Sequence, residues 1–285
     1  MEGNQMYQAD LHLHTRVSDG SEDITTILKM AKEAGLTHLA ITNHDTTQMT
    51  EEYIVEAKKY GIRAIPGVEM SAYDAERGVR AHILGYNYKT TSHIEAIGKE
   101  TLRKRTENGL QYIEVLKKIG YKVDKEEILK LCTTAIYKQH ILAYLVRTGQ
   151  TNAIFGDVYD KEFKNGGPCS FDVDYPDAVA CVKAICADGG VPVLAHPGQQ
   201  NNFDLLPKLV NAGLKGIEYN HPSHDEKWRK RVEQEAEEFG LFMTGGSDFH
   251  GVYEKTKTEL GKYRAHVSSL CLLKNNEEAL SAPLF

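Results

Sequence analysis

A β/α barrel interrupted by a helical insertion is the fold class that this 285-residue chain predicts, on three observations. Short apolar strand patterns alternate with amphipathic helix patterns, about seven such strands occur, and a histidine or a carboxylate stands where several of them give way to a loop. Alternating strands and helices favour a parallel sheet, and this many units with polar residues at strand ends favour closure over an open sheet. The length allows one large domain, or one domain with a sizeable insertion, and either buries a full core.

The elements follow in order. In residues 7–14, Leu11 and Leu13 share one face while Asp10, His12 and His14 share the other, the period-two arrangement of a strand. After the turn residues Ser18, Asp19 and Gly20, the spacing Ile24, Ile27, Leu28, Ala31, Ala34 predicts a helix, opened by Asp23 as its cap and closed by Gly35. A strand at 37–43, a helix at 52–60, and strands at 62–69 and 80–86 continue the pattern. Residues 93–171 break it, reading as helices at 94–119, 125–131 and 139–146 followed by the loop Asn165-Gly166-Gly167-Pro168. They form the expected insertion, covering the substrate site, and leave 1–92 and 172–285 as the barrel. Apolar runs at 191–196, 214–219 and 241–246 then alternate with helical patterns at 177–187, 203–212 and 226–239. The tail from Tyr263 offers one further short strand, at 266–272.

Composition excludes several classes of function. With 41% hydrophobic and 26% charged residues the chain is neither disordered nor fibrous, and no apolar run approaches the roughly 20 residues that span a bilayer. No membrane partner is expected. The opening MEGNQMYQAD lacks a basic region followed by an apolar one, so a cytoplasmic location is expected. Five cysteines form no Cys-x-x-Cys pair and read as small buried residues. A net charge of -6 argues against tracking a long nucleic-acid duplex, which clustered Lys and Arg would hold, but is compatible with a small phosphorylated substrate.

The chemistry gathers at strand ends. His12-Leu13-His14 places two imidazoles on one strand face, their Cα atoms about 7 Å apart, near enough to share a cation. Thr42-Asn43-His44-Asp45, Pro66-Gly67-Val68-Glu69, Leu194-Ala195-His196-Pro197 and Gly246-Ser247-Asp248-Phe249-His250 close later strands, and His82 lies in another. In a parallel barrel these ends share one rim and converge on one pocket. The six imidazoles of His12, His14, His44, His82, His196 and His250, with Asp19, Glu69 and Asp248, exceed what one cation can use. Two or three divalent ions would occupy them, and the absence of thiolate favours Mn, Fe or Zn. Closely spaced cations acidify a bridging water and neutralise charge on an in-line transition state, which suits anionic phosphate esters. No Gly-x-Ser-x-Gly elbow or Walker loop signals a different chemistry.

In their order, His-x-His with Ser-Asp-Gly, Thr-Asn-His-Asp, Pro-Gly-Val-Glu, His82, Leu-Ala-His-Pro and Gly-Ser-Asp-Phe-His resemble the polymerase and histidinol phosphatase (PHP) superfamily. Within it the chain is most similar to stand-alone bacterial phosphoesterases of nucleoside 3',5'-bisphosphates, nucleoside monophosphates or short RNA 5' ends. The resemblance implies a distorted (β/α)7 TIM-like barrel and a trinuclear site, with manganese first among the metals. One ion would take His12, His14, Glu69 and Asp248. Glu69 would bridge to a second, held also by His82 and His196, and Asp19, His44 and His250 would take the third. It implies hydrolysis of phosphomonoesters by a hydroxide bridging the metals, with Asp248, His250 and His221 as catalytic candidates. Asn43 stands where the family usually has Asp, so a carboxylate orienting His44 would be replaced by a neutral amide and the third ion would be held less firmly.

Lys138-Gln139-His140 resembles the family's Arg-x-His segment on the substrate phosphate, which makes Lys138 and His140 substrate-binding candidates. Arg103 and Arg105 on the first insertion helix, and His224 in His221-Pro222-Ser223-His224, join them, while His38, His93 and His266 read as structural. Rival readings are a histidinol-phosphate phosphatase, a 5'-3' exoribonuclease on short RNA, an amidohydrolase, and a non-catalytic metal-stabilised module. A structural role needs neither three ions nor an open coordination position, which disfavours the last.

Overall fold

A computed structural model describes residues 7–254 and 257–273. Strands β1 (Ala9–Leu13), β2 (His38–Ile41) and β3 (Arg63–Ile65) form a parallel sheet in that order. Helices α1 (Ile24–Glu33) and α2 (Thr50–Lys59) connect them and pack Ile27, Leu28, Tyr53 and Ala57 against Leu13 and Leu39. Asp23 caps α1, its carboxylate accepting the Thr26 N–H at 2.8 Å, and Gly35 leaves the helix at φ +71°.

The single strand expected at 62–69 is two strands. Pro66 has no N–H to give the ladder, and the chain breaks there. Beyond it, β4 (Gly67–Asp74) turns away and pairs antiparallel with β5 (Val79–Tyr86). β5 is in turn antiparallel to β6 (Val191–Leu194), which runs parallel to β7 (Gly216–Asn220), and β7 to β8 (Phe242–Gly245). The second sheet is therefore mixed, not parallel throughout. Glu69 and His82 consequently lie inside a hairpin rather than at strand ends, two register positions apart.

The sheets meet at two seams, through isolated bridges pairing Leu13 with Phe249 and His44 with Glu69; among the described residues they do not close into one continuous ladder. Leu11, Ala40 and Ile65 of the first sheet share a core with Leu84, Tyr86 and Val193 of the second. Helices α6 (Ala178–Ala187), α8 (Leu206–Ala212) and α9 (Glu226–Phe239) cover the second sheet through Val182, Ile185, Leu209 and Val232, and the short α7 (Pro197–Gln200) follows β6.

The segment between β5 and α6 carries α3 (Ser92–Lys118), α4 (Lys125–Leu129) and α5 (Lys138–Arg147) around a core of its own, including Tyr112, Ile113, Ile128, Leu142 and Phe163. α3 rests directly on the loop after β2. Glu95 accepts the Thr47 N–H at 2.7 Å, and Gly98 is required there because a Cβ would come within 2.1 Å of the Asp45 carbonyl oxygen. The strand expected at 266–272 is instead a 3₁₀ turn, Val267–Leu270, which the His266 side chain caps by accepting the Ser268 N–H. Among the described residues no helix is long and apolar enough to cross a membrane.

Candidate metal centre

β1 carries His12 into the interior and His14 follows directly after it, both fully buried. Glu69, rising from β4, is the hub. Its Oε2 lies 3.1 Å from His12 Nε2, 3.1 Å from His14 Nε2 and 3.4 Å from His44 Nδ1. Its Oε1 lies 2.8 Å from His82 Nδ1 and 3.0 Å from His196 Nε2. Asp248, after β8, reaches the same point from the far seam, with Oδ1 3.3 Å from His12 Nε2 and 3.1 Å from His14 Nε2. Asp19 sits between His250 Nε2 at 3.4 Å and His44 Nε2 at 3.9 Å. All nine residues expected to ligate metals are thus brought into one cluster.

Four subsets place their ligand atoms within 4.8 Å of one another: His12, His14, Glu69 and Asp248; His14, Asp19, His44 and His250; His44, Glu69 and His82; and His196, His221 and Asp248. The first matches an expected ligand set and the second adds His14 to another. His196 differs, falling in with His221 and Asp248 although its Nε2 still touches Glu69.

Buried polar atoms are ordinarily hydrogen-bonded, yet His12 Nε2, both ring nitrogens of His14, Asp19 Oδ1 and Glu69 Oε2 are not, despite lying so close together. Buried nitrogen and oxygen atoms that converge in this way are a donor set for a cation. The mixture of imidazole and carboxylate, with no thiol, fits borderline or hard divalent cations.

The charges within the cluster are mutually dependent. Burial raises the carboxyl pKa values of Glu69, Asp19 and Asp248, but the neighbouring imidazoles outweigh it and hold all three well below the usual range. Burial likewise opposes the charged form of His12, and Glu69, Glu218 and Asp248 overcome it, holding His12 well above its ordinary value. For His250, Asp19 and Asp248 overcome burial and push the pKa up to about 10. His44 goes the other way: burial takes it down to about 3. A cation entering this cluster displaces protons, so its affinity depends on pH.

The scaffold behind the cluster fixes which nitrogen faces inward. Glu218 of β7, fully buried, takes the Nδ1–H of His12 at 3.0 Å and the backbone N–H of His196 at 2.8 Å, which leaves His12 Nε2 free to ligate. The Nδ1–H of His250 is committed to the Asp248 carbonyl at 2.7 Å. Asp10 accepts the N–H of Ser247 at 2.9 Å, its hydroxyl at 2.6 Å and the Gly261 N–H at 2.8 Å, tying the Asp248 loop to β1. Gly246 lets that loop pass, since a Cβ there would come within 2.3 Å of His12 Cβ. His196 at φ +26° and Asp248 at φ +50° hold backbone conformations that side chains seldom adopt, as is common where a scaffold over-determines a functional residue.

Asn43 does not orient His44. Its Oδ1 accepts the Thr15 N–H at 2.9 Å and the hydroxyls of Thr15 and Ser18 at 3.1 and 3.0 Å, and its amide donates to the Tyr53 hydroxyl at 3.2 Å. It braces the loop that presents Asp19.

Beside Asp19, His44 and His82 opens a cavity of about 180 Å³, walled by Arg80, Arg105, Lys138, Lys164 and several aromatic rings. Arg105 pairs with buried Asp45 at 3.0 Å, donates to Ser71 Oγ at 2.9 Å and lies over the Tyr137 ring, while its buried Nε has no partner. Lys138 sits over Tyr112, and burial, with Arg80, Lys164 and Arg105 nearby, draws its ammonium down to about 7. Other sequence candidates fall outside the cavity wall. Arg103 faces solvent between Glu100 and Glu107. His140 is buried beneath Tyr137, its Nδ1 accepting the Tyr137 N–H at 3.3 Å, and burial takes it down to about 4. His224 accepts the Gly198 N–H at 3.0 Å and donates to the Tyr219 carbonyl at 2.9 Å. His221 touches Asp248 at 3.2 Å from behind the cluster. Sequence reasoning missed Glu218, and also Gln139, whose amide donates to Asp19 Oδ2 at 2.9 Å, and Arg80 and Asp172 in the cavity wall.

Comparison with known proteins agrees with this geometry. The chain is 41% identical over 247 residues to the phosphoribosyl 1,2-cyclic phosphate 1,2-diphosphodiesterase of Eggerthella lenta, covering 86% of this chain and 94% of that protein. It is 29% identical to the 3',5'-nucleoside bisphosphate phosphatase of Chromobacterium violaceum, over 86% and 88% of the two chains. A solved structure described as a metal-dependent phosphoesterase from Bifidobacterium adolescentis superposes with a TM-score of 0.85 at 26% identity, covering 94% of this chain and 96% of that one. The family model for the PHP domain matches residues 10–186, and with 41% identity to a relative across most of its length, the chain belongs to the PHP family.

Proposed function

We propose that this protein is a metal-dependent phosphoesterase that hydrolyses a phosphate ester of a nucleotide or phosphorylated ribose. The observation that carries the reading is a cluster of unpartnered imidazole and carboxylate atoms around Glu69, opening into a cavity walled by four cations. His12, His14, Glu69 and Asp248 would hold one ion, Glu69 with His82 and His196 a second, and Asp19, His44 and His250 a third. Manganese comes first, with iron or zinc as alternatives. When bound, such ions acidify water and neutralise charge on phosphoryl oxygens.

The chain's own residues do the rest. Arg105, with a free Nε, and Lys138, a partly desolvated cation, bind phosphate oxygens. Tyr112, Tyr137 and Tyr175 wall the cavity against water. His221 Nδ1 accepts the Ser223 N–H at 3.1 Å, so a neutral ring carries its proton on Nε2 and commits it to Asp248 Oδ2 at 3.2 Å, which orients that carboxylate. In His250 the Nδ1 proton is already committed, which suits a ligand better than an acid.

The two sheets are read as halves of a distorted barrel parted at two seams, with 93–171 as a lid bringing Lys138 and Gln139 to the site. Among the described residues no two cysteines are joined in a disulfide, which suits a reducing, cytoplasmic setting.

A second reading, opening of a ribose cyclic phosphate, is favoured by one observation. The cavity is smaller than the roughly 300–1,000 Å³ of pockets for drug-sized ligands, and a ribose phosphate fills less space than a nucleotide. Turnover with Mn²⁺ and with chelator tests both, followed as phosphate release from adenosine 3',5'-bisphosphate, AMP, histidinol phosphate and p-nitrophenyl phosphate, and by phosphorus NMR of the ring-opened monoester for phosphoribosyl 1,2-cyclic phosphate. Metal-dependent turnover of a ribose-containing ester is expected; no product from any of the five overturns the proposal.

A further inference from the structure

We infer that Asp172 is a resident stand-in for a second phosphate on the substrate, and that it sets specificity by making that phosphate compete with a carboxylate for Lys138 and Arg80. The inference rests on the phosphoesterase reading above and names the substrate class of the same site: an ester whose non-reacting end carries a phosphate.

The outer half of the cavity is built from three elements. Arg80 comes from β5, Lys138 from the first turn of α5, and Asp172 from the segment leading into α6. Asp172 forms an ion pair with Arg80 through Oδ2. Its Oδ1 accepts the Val173 N–H at 2.9 Å and the Tyr175 hydroxyl at 3.3 Å, and stands 3.6 Å from Lys138 Nζ. That last separation is an ion pair too long for a hydrogen bond. Lys138 is therefore a largely buried ammonium with a loose partner and the face of Tyr112 beneath it. Lys164 lines the same wall. Arg105 is paired instead with Asp45, outside this group, and offers its Nε to the reacting phosphate.

Two cations on one carboxylate, with Lys164 on the same cavity wall, suit a group of higher charge. A phosphate dianion offers more charge and three acceptor oxygens to the same donors, so it displaces a carboxylate where a hydroxyl or an amide cannot. The displaced side chain has room. Asp172, Arg80, Val173 and Tyr175 form the partition between the inner cavity and an outer one of about 370 Å³, lined also by Tyr73, Gly78 and Asp174. An Asp172 held only for structure would need no such space on its far side.

The test compares wild type with Asp172→Asn, both loaded with Mn²⁺, on adenosine 3',5'-bisphosphate and on p-nitrophenyl phosphate, with calorimetric affinity for the bisphosphate measured alongside. A partly exposed ion pair of this kind predicts that the variant binds the bisphosphate about three- to tenfold more tightly and that its KM ratio, bisphosphate to p-nitrophenyl phosphate, falls by the same factor. In a Lys138→Gln background the Asp172→Asn gain should shrink, because the two residues act through one contact. An unchanged or weaker bisphosphate affinity in Asp172→Asn, or an undiminished gain without Lys138, overturns the inference. If Asp172→Asn fails to fold, Asp172→Ser carries the same expectation. Absence of turnover by the wild type on both compounds would count against the phosphoesterase reading instead, and the calorimetric comparison would still decide the role of Asp172.

Discussion

Replacing Glu218 by glutamine removes one acceptor from a place where two are in use. Its Oε1 takes the His12 Nδ1–H and its Oε2 the His196 N–H, all of it away from solvent. An amide has a single oxygen. If its NH₂ turns to His12, the ring adopts the other tautomer and the proton moves to Nε2, the atom 3.1 Å from Glu69 Oε2, where it blocks the lone pair that a cation needs. If the NH₂ turns to His196, a buried backbone donor goes unsatisfied, at a cost of about 1–3 kcal/mol, in a residue already at φ +26°. Either way the loss matches the roughly 10–100-fold in metal affinity expected when a carboxylate behind a ligating histidine is removed, equivalent to about 1.4–2.7 kcal/mol. Calorimetric titration of metal-free protein with MnCl₂ measures it, with circular dichroism to confirm the fold. A folded Glu218→Gln protein that binds Mn²⁺ as tightly as wild type would refute the reasoning.

Lys138 makes substrate binding sensitive to pH: its ammonium, drawn down to about 7, is charged below that pH and neutral above it, so KM for a phosphorylated substrate should climb as pH rises through neutrality. Lys138→Arg, which cannot deprotonate, should remove that limb of the KM profile. Asp10→Asn should lower stability by about 1–3 kcal/mol in thermal or urea unfolding, because the new NH₂ must face either the N–H groups of Ser247 and His12 or the Gly261 N–H beside the Ser247 hydroxyl; an unchanged midpoint would contradict the role given to Asp10. Asn43→Ala strips the Thr15 N–H of its buried acceptor and should lower metal content by one ion, the one beside Asp19, while the ions around Glu69 remain. Loss of all metal together would show that the sites are not separable in this way.

Much of the architecture was legible because hydrophobic periodicity is a local signal. The alternation of Leu11 and Leu13 with His12 and His14 along and just past β1, and the Asp23 to Gly35 frame of α1, need no tertiary knowledge. The strand pairing after Pro66 was not legible. The apolar run through 62–69 looks continuous, and only the loss of a ladder donor at Pro66, together with the choice of β5 as antiparallel neighbour, splits it. Asn43 was misplaced for a related reason: adjacent residues leave an extended backbone on opposite sides, so Asn43 and His44 cannot both face the centre. Glu218 did carry a signal. Strands of a parallel sheet read as near-continuous apolar runs, and a glutamate within Gly216–Asn220 is a charge that must find a buried partner. Asp172 and Gln139 carried none, since their roles arise only when the insertion folds back onto the strands.

The account as a whole depends on metal ions gathering at Glu69, and an anomalous-difference map at the manganese edge, from crystals grown with Mn²⁺, tests that most directly. Peaks are expected among His12, His14, Glu69 and Asp248, beside His82 and His196, and between Asp19, His44 and His250. A map with no peak in this cluster, at full occupancy of the protein, would contradict it.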